Sequence, residues 1–197
     1  MEIIFGIDYG SKLSGNTVIA LIQDNHIFFL EAEEKVNADE FISNAVEHFK
    51  PKLIFMDAPM SLPGVYKGLE GFSNYHFRKA DIETKAMSPM FLGGLAARAM
   101  ELRDKFEAMN IEVKETYPRL MANRFDLKAF GYKSSKSALR ECALHLKECI
   151  KEPLRFNSAD LKTWHHLDAL LALMSALSYQ CGDFCTYGDP REGQIYV

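Results

Sequence analysis

Long apolar runs are missing from this 197-residue sequence. None approaches the roughly 20 residues that a helix needs to span a bilayer, so no membrane span is expected. Before the first apolar run there is no basic segment and no small-residue cleavage site, so no secretory leader is expected either. Cysteine is sparse. Cys142, Cys149, Cys181 and Cys185 form no C-x-x-C pair, and no histidine pair stands at zinc-finger spacing. Reduced, structural thiols follow, and with them a cytoplasmic location. G-x-G-x-x-G, the Walker A motif and G-x-S-x-G are all absent, which removes support for dinucleotide binding, P-loop phosphate binding and serine hydrolysis. Nothing points to pyridoxal phosphate, haem or nicotinamide. Internal repeats and low-complexity segments are lacking too.

What is present is ordinary in bulk and uneven in detail. Apolar residues make up 48% and charged residues 25%, as in a globular protein with one core. The length suits a single domain over 1–197. The net charge is −4, whereas a generic duplex-DNA binder is more often basic. Yet residues 114–162 hold 11 Lys and Arg against 6 Asp and Glu, a net charge of +5 that leaves −9 for the remainder. That stretch is either a phosphate-facing surface or a set of solvated helix faces.

The element pattern is that of an α/β domain. Ile3 to Ile7 is almost wholly apolar and reads as a strand buried on both faces. Asn16 to Ile22 and His26 to Leu30 read as two further strands joined by the Asp24-Asn25 turn, giving an antiparallel meander. Asn37 and Glu40 have the spacing of a capping box, and Phe41, Ile42, Ala45, Val46 and Phe49 follow at helical period. Pro51 ends that helix. Leu53 to Met56 is a fourth, wholly apolar strand, completing a crossover unit. Residues 60–90 show little periodicity and read as an irregular insertion over the sheet edge, of the kind that often carries function. Its Tyr66, Phe72, Tyr75 and Phe77 suit either base stacking or a small local core. A helix from Phe91 to about Ala108 follows, then a fifth strand from Ile111 to Thr116, with Ile111, Val113 and Glu115 on one face. Pro118 opens the next helix. Ser137 to Ile150 and Thr163 to Tyr179 are two more, and the tail GDPREGQIYV ends in an edge-strand pattern.

Two of the buried strands run into a carboxylate: Asp8 after the first, Asp57 after the fourth. If those strands lie side by side and parallel, both acids meet at the carboxyl edge of the sheet, where open α/β sheets bind ligands. Like charges resist joint ionisation, and a divalent cation removes that cost; carboxylates and water suit Mg²⁺ or Mn²⁺. The last helix, TWHHLDALLALMSAL, is apolar nearly all round, and Asp168 interrupts it. A charge there is costly unless paired or metal-bound. His165, three residues earlier, shares its face and suits a ligand, a base or a satisfied core histidine. His166 points elsewhere and reads as structural. Glu115 is either a fourth acid at this edge or an exposed strand-end residue.

The segments GIDYGS, IFMDAPMSLP, FRKAD, VKETYPR, HHLDALLAL and GDPREGQIYV, in that order, resemble an uncharacterised predicted-nuclease family of RNase H-like fold, distantly similar to Holliday-junction resolvases. The resemblance spans nearly the whole chain. It implies a mixed five-stranded sheet flanked by helices, with an insertion after strand four. It implies a metal-dependent nuclease acting on DNA or RNA with two Mg²⁺ or Mn²⁺ ions, bridged by Asp8 and anchored by Asp57 and Asp168. Resolvase-like members carry two residues three apart on the last helix, here His165 and Asp168. Relatives often have an acid at the first of these, and His165 departs from that. Arg78 and Asp81 match an R-x-x-D piece, and Glu115 a strand-five glutamate. Lys12 or Arg78 would hold a phosphate. Two other readings stand beside this one. A non-catalytic RNase H-like binding module keeps the acids as relics. A phosphotransferase of the sugar-kinase and actin-like kind would use DYGSKLSGNT as a phosphate loop, but it normally needs a second copy of the fold.

Overall fold

The computed structural model describes residues 2–197, which form a mixed β-sheet covered by helices on both faces. The strands are β1 (Ile4–Asp8), β2 (Val18–Gln23), β3 (His26–Glu31), β4 (Leu53–Asp57), β5 (Glu112–Glu115), β6 (Thr186–Tyr187) and β7 (Ile195–Tyr196). The helices are α1 (Ala38–Phe49), α2 (Lys79–Thr84), α3 (Pro89–Leu92), α4 (Gly94–Glu107), α5 (Pro118–Arg124), α6 (Lys136–Cys149) and α7 (Trp164–Gln180). Strand order is β3-β2-β1-β4-β5-β7-β6. The first three strands form the expected antiparallel meander, and β1, β4 and β5 run parallel.

The sheet has seven strands rather than the expected five. The two additional strands are two residues each, too short for alternation to register. The tail pairs as anticipated, but Ile195–Tyr196 lies inside the sheet: it pairs parallel with β5 at Glu115 and antiparallel with β6, which forms the edge. Residues 60–90 also depart from expectation. They contain α2, a 3₁₀ turn at Gly64–Lys67 and the start of α3. The single helix expected from Phe91 is two, broken at Gly93, whose φ of 50° lies in the left-handed region.

Strand parity divides the core. Phe5, Ile7, Ile19, Leu21, Ile54 and Met56 pack with Ile42 and Val46 of α1 and with Ala99 and Phe106 of α4. Ile4, Val18, Ala20, Ile22, Leu53 and Phe55 pack with α7 and the residues around α5 and α6. Because side chains alternate, Asp8 and Asp57 fall on the α7 face. Helix α7 is buried from His166 to Ala176, which accounts for its apolar circumference.

Gly6 is where α7 crosses β1. A Cβ on Gly6 would stand 2.1 Å from the Leu173 nitrogen and 2.5 Å from the Ala169 carbonyl oxygen. Only glycine lets the helix backbone come this close. Asn37 caps α1 by accepting from the Asp39 amide at 3.1 Å, while its own amide donates to Glu40 at 2.8 Å, so the expected Asn37/Glu40 pair meets side chain to side chain. No helix among the described residues is long and apolar enough to cross a membrane. All four cysteines are free, with Cys142 buried against α6's neighbours.

Gly6→Ala is expected to cost about 3 kcal/mol or more, because the obstructing atoms are helix backbone and cannot repack. Gly94→Ala meets nothing within 4 Å and opens a helix, so it should leave stability unchanged or raise it slightly. Thermal melts of both variants decide the matter; equal melting temperatures would show that α7 does not need the glycine.

Candidate metal centre

Parallel pairing of β1 with β4 puts Asp8 directly opposite Asp57. Helix α7 crosses the same face and adds Asp168 one turn into its length. One carboxylate oxygen from each of the three lies within 4.8 Å of the others. Asp8 and Asp168 are buried, and Asp57 is partly open to a cleft. No protein donor among the described residues reaches the Asp57 carboxylate. Burial, then the charges of Asp8 and Asp168, hold its pKa well above the usual carboxylate range. Asp168 is pushed up to about 6, mainly by burial and then by Asp8.

The other two acids have partners. His165 Nδ1 lies 2.7 Å from Asp8 Oδ2, and this hydrogen bond raises the imidazole pKa against the opposing effect of its partial burial. His165 therefore sits beside the triad with 42% of its side chain exposed, outside the three-carboxylate group but on the same helix face as Asp168. Asp168 accepts a hydrogen bond from the Tyr132 hydroxyl and an ion pair from Lys133 Nζ at 2.6 Å. Tyr132 and Lys133 come from the α5–α6 connection, and the sequence reading missed both. The only signal was their place in the basic stretch. His166 is buried; it lies 3.1 Å from Glu31, bonds Thr163 at 2.9 Å and packs on Phe29, the structural role expected of it.

Four other site candidates, Glu115, Arg78, Asp81 and Lys12, fall elsewhere. Glu115 shares parity with Ile111 and Val113, so it faces the α4 side, opposite to Asp57. There it accepts from Met60 N at 2.8 Å and from both terminal nitrogens of Arg78, at 2.7 and 2.6 Å. Arg78 is fully buried, and Asp81 and Ser61 take its remaining donors. This guanidinium is consumed by two carboxylates and a hydroxyl, so Arg78 and Asp81 form an internal ionic lock and not the expected phosphate contact. Nearby, buried Glu192 accepts from the Gly64 and Lys79 amides at 2.6 Å each, tying the tail to the 60–90 segment. Lys12 is exposed and lines a shallow groove with Asp39 and Arg98 on the α1 side. In the loop after Asp8, the Gly10 amide donates to Thr17 at 3.0 Å and so is not free to cradle a phosphate. Of the insertion's aromatics, Tyr66 and Tyr75 pair edge to face on the surface, while Phe72 packs under Gly64 with Arg191 over its ring.

The chemistry of this donor set suits a hard divalent cation. Three carboxylates converge, one has no donor, and a single ammonium offsets them. Oxygen donors of this kind match Mg²⁺ or Mn²⁺. No protein-family model matches this chain, and no curated protein matches it either.

The raised Asp57 pKa makes a stability prediction. A carboxyl group that is harder to ionise when folded stabilises the fold while protonated, and that contribution is lost as pH rises through the raised pKa. Asparagine imitates the protonated acid at every pH. In chelator, Asp57→Asn should match the parent protein near pH 4 and exceed it by on the order of 1 kcal/mol or more at pH 8. Saturating Mn²⁺ should reverse the order. A pH-independent difference in melting temperature would refute the electrostatic account. Lys133 competes with any cation for Asp168, so Lys133→Met should tighten Mn²⁺ binding by about 1 kcal/mol, roughly fivefold. Calorimetry showing weaker binding would mean that Lys133 supports the metal instead.

Proposed function

We propose that the chain is an RNase H-like, metal-dependent nuclease that hydrolyses phosphodiester bonds of DNA or RNA. The observation that carries this reading is the convergence of Asp8, Asp57 and Asp168 from two adjacent parallel strands and a crossing helix. Strand order supports it: an antiparallel β3-β2-β1 meander continues into parallel β4 and β5, with helices on both faces. The order of short motifs along the sequence supports it as well.

In this reading the three carboxylates hold Mg²⁺ or Mn²⁺, which when bound supplies a Lewis acid at the phosphate and lowers the pKa of a coordinated water. The remaining roles belong to the chain. Asp8 and Asp57, fixed by strand pairing, set the position of the site on the sheet. Asp168 is oriented by the Tyr132 hydroxyl. His165, hydrogen-bonded to Asp8 and half open to solvent, is placed to accept or deliver a proton at Nε2 while Nδ1 stays on the carboxylate. Lys133 keeps a positive charge at the rim, raised by Asp168 in spite of partial burial, where it can meet a phosphate.

A second reading draws on one observation. Lys133 already supplies a cation to Asp168, as in a non-catalytic module whose acids need no metal.

Incubating the protein with Mn²⁺ and labelled single-stranded and duplex DNA and RNA separates the two. The nuclease reading expects cleavage that chelator abolishes. Each of Asp8→Asn, Asp57→Asn and Asp168→Asn should lower it at least about a hundredfold while the variant stays folded by circular dichroism at the assay temperature. Intact substrates, together with no heat of Mn²⁺ binding, would favour the module.

A further inference from the structure

Two clefts meet at the 132–136 segment; the first reaches Asp57 of the acidic triad, and the second reaches His165, which is hydrogen-bonded to Asp8. The first, of about 590 Å³, is lined by Asp57, Tyr117, Arg119, Lys128, Tyr132 and Lys133, among others. The second, of about 500 Å³, is lined by Lys133, Lys136, Lys162, Trp164 and His165 with the hydroxyls of Ser134, Ser135 and Thr163. Lys133 belongs to both. Asp57 is the one carboxylate on either wall.

Of the cations on these walls, Lys133 is paired with Asp168 and Lys162 with Glu31 at 2.9 Å, and the other three are available. Arg119, Lys128 and Lys136 are exposed, and no carboxylate among the described residues pairs with any of them. This arrangement is unusual in a chain whose net charge is −4. Helices α6 and α7 also begin in the second cleft, adding the positive ends of their dipoles. A polyanion is therefore drawn to this face and repelled by most of the rest.

The walls also carry rings. Tyr117 and Tyr132 stand in the first cleft and Trp164 in the second, with Tyr132 and Trp164 edge to face at 5.5 Å. Ring faces serve bases that are already unstacked, whereas a duplex keeps its bases against one another and is read through its grooves. Concave clefts of these sizes suit splayed nucleotides better than the outside of a double helix.

We infer that the two clefts are one path for a single-stranded polynucleotide, running from Arg119 and Lys128 past the triad and Lys133 to Lys136, Lys162 and Trp164. This inference rests on the nuclease reading for its chemistry, but binding along the path does not require cleavage. Phosphates lie on the lysines and arginine, and a base stacks on Trp164.

The chain has one tryptophan, so its fluorescence reports the second cleft directly. In chelator, where no cleavage interferes, titration with unlabelled 12-mers of single-stranded DNA and RNA should quench Trp164, while the matching duplex quenches it little. Fluorescence anisotropy with labelled 12-mers should show single strands binding at least about tenfold more tightly than duplex. The DNA and RNA arms show which sugar is preferred. The triple variant Arg119→Ala/Lys128→Ala/Lys136→Ala should bind single strands at least about tenfold more weakly, and its log–log salt slope should fall by about 2, as expected for three lost phosphate contacts. Duplex binding as tight as single-strand binding, an unquenched Trp164, or a variant that binds like the parent would each overturn the path. None of these results touches the nuclease reading, which stands or falls on Mn²⁺-dependent cleavage and its loss in the aspartate variants.

Discussion

The close crossing of α7 over β1 at Gly6 is the constraint on which the rest of the molecule depends. A missing side chain lets two backbones touch, and the helix then lies along the sheet at a fixed height and register. Asp168 reaches Asp8 and Asp57 only because of that height. Residues from both sides of the crossing fill one layer of the core, so packing energy holds the geometry of the acids. The other layer, built with α1 and α4, has no part in the site beyond keeping the sheet rigid.

Against that packing works the repulsion of three carboxylates. Burial raises the cost of ionising Asp57 and Asp168, and the fold offsets it in part with one ammonium and one phenol. The result is a site with more negative charge than its own side chains neutralise. A second set of buried charges, Arg78 with Asp81 and Glu115, is closed by contrast: each donor of the guanidinium has an acceptor. Of the two ionic clusters, one is thus saturated within the chain and the other keeps carboxylate oxygens that could hold a metal ion.

Much of this was legible in the sequence. Apolar strands ending in Asp8 and Asp57 and an apolar helix interrupted by Asp168 are strong local signals, and period-2 and helical patterns suffice to read them. Glu115 shows the limit. Its strand and its edge were read correctly, but the side it faces followed only from parity relative to a core that the sequence did not define. Arg78 and Asp81 looked like a substrate-binding pair because a motif says nothing of burial. The strands of two residues lay below any period. Tyr132 and Lys133 sit in a connection without pattern, and tertiary proximity alone gives them a role.

The crossing also orders events during synthesis. His165 and Asp8 are 157 residues apart in the chain, and their contact needs α7. At ribosomal rates of about 5–20 residues per second, β1 leaves the exit tunnel roughly 8–30 s before α7 can cover it. Through that interval the groove over Gly6 and its flanking Ile4, Val18 and Ala20 stays bare, an apolar face that chaperones would recognise. Over the same interval Asp168 is missing from the triad, so the nascent chain carries no complete acidic centre until α7 has been made and docked.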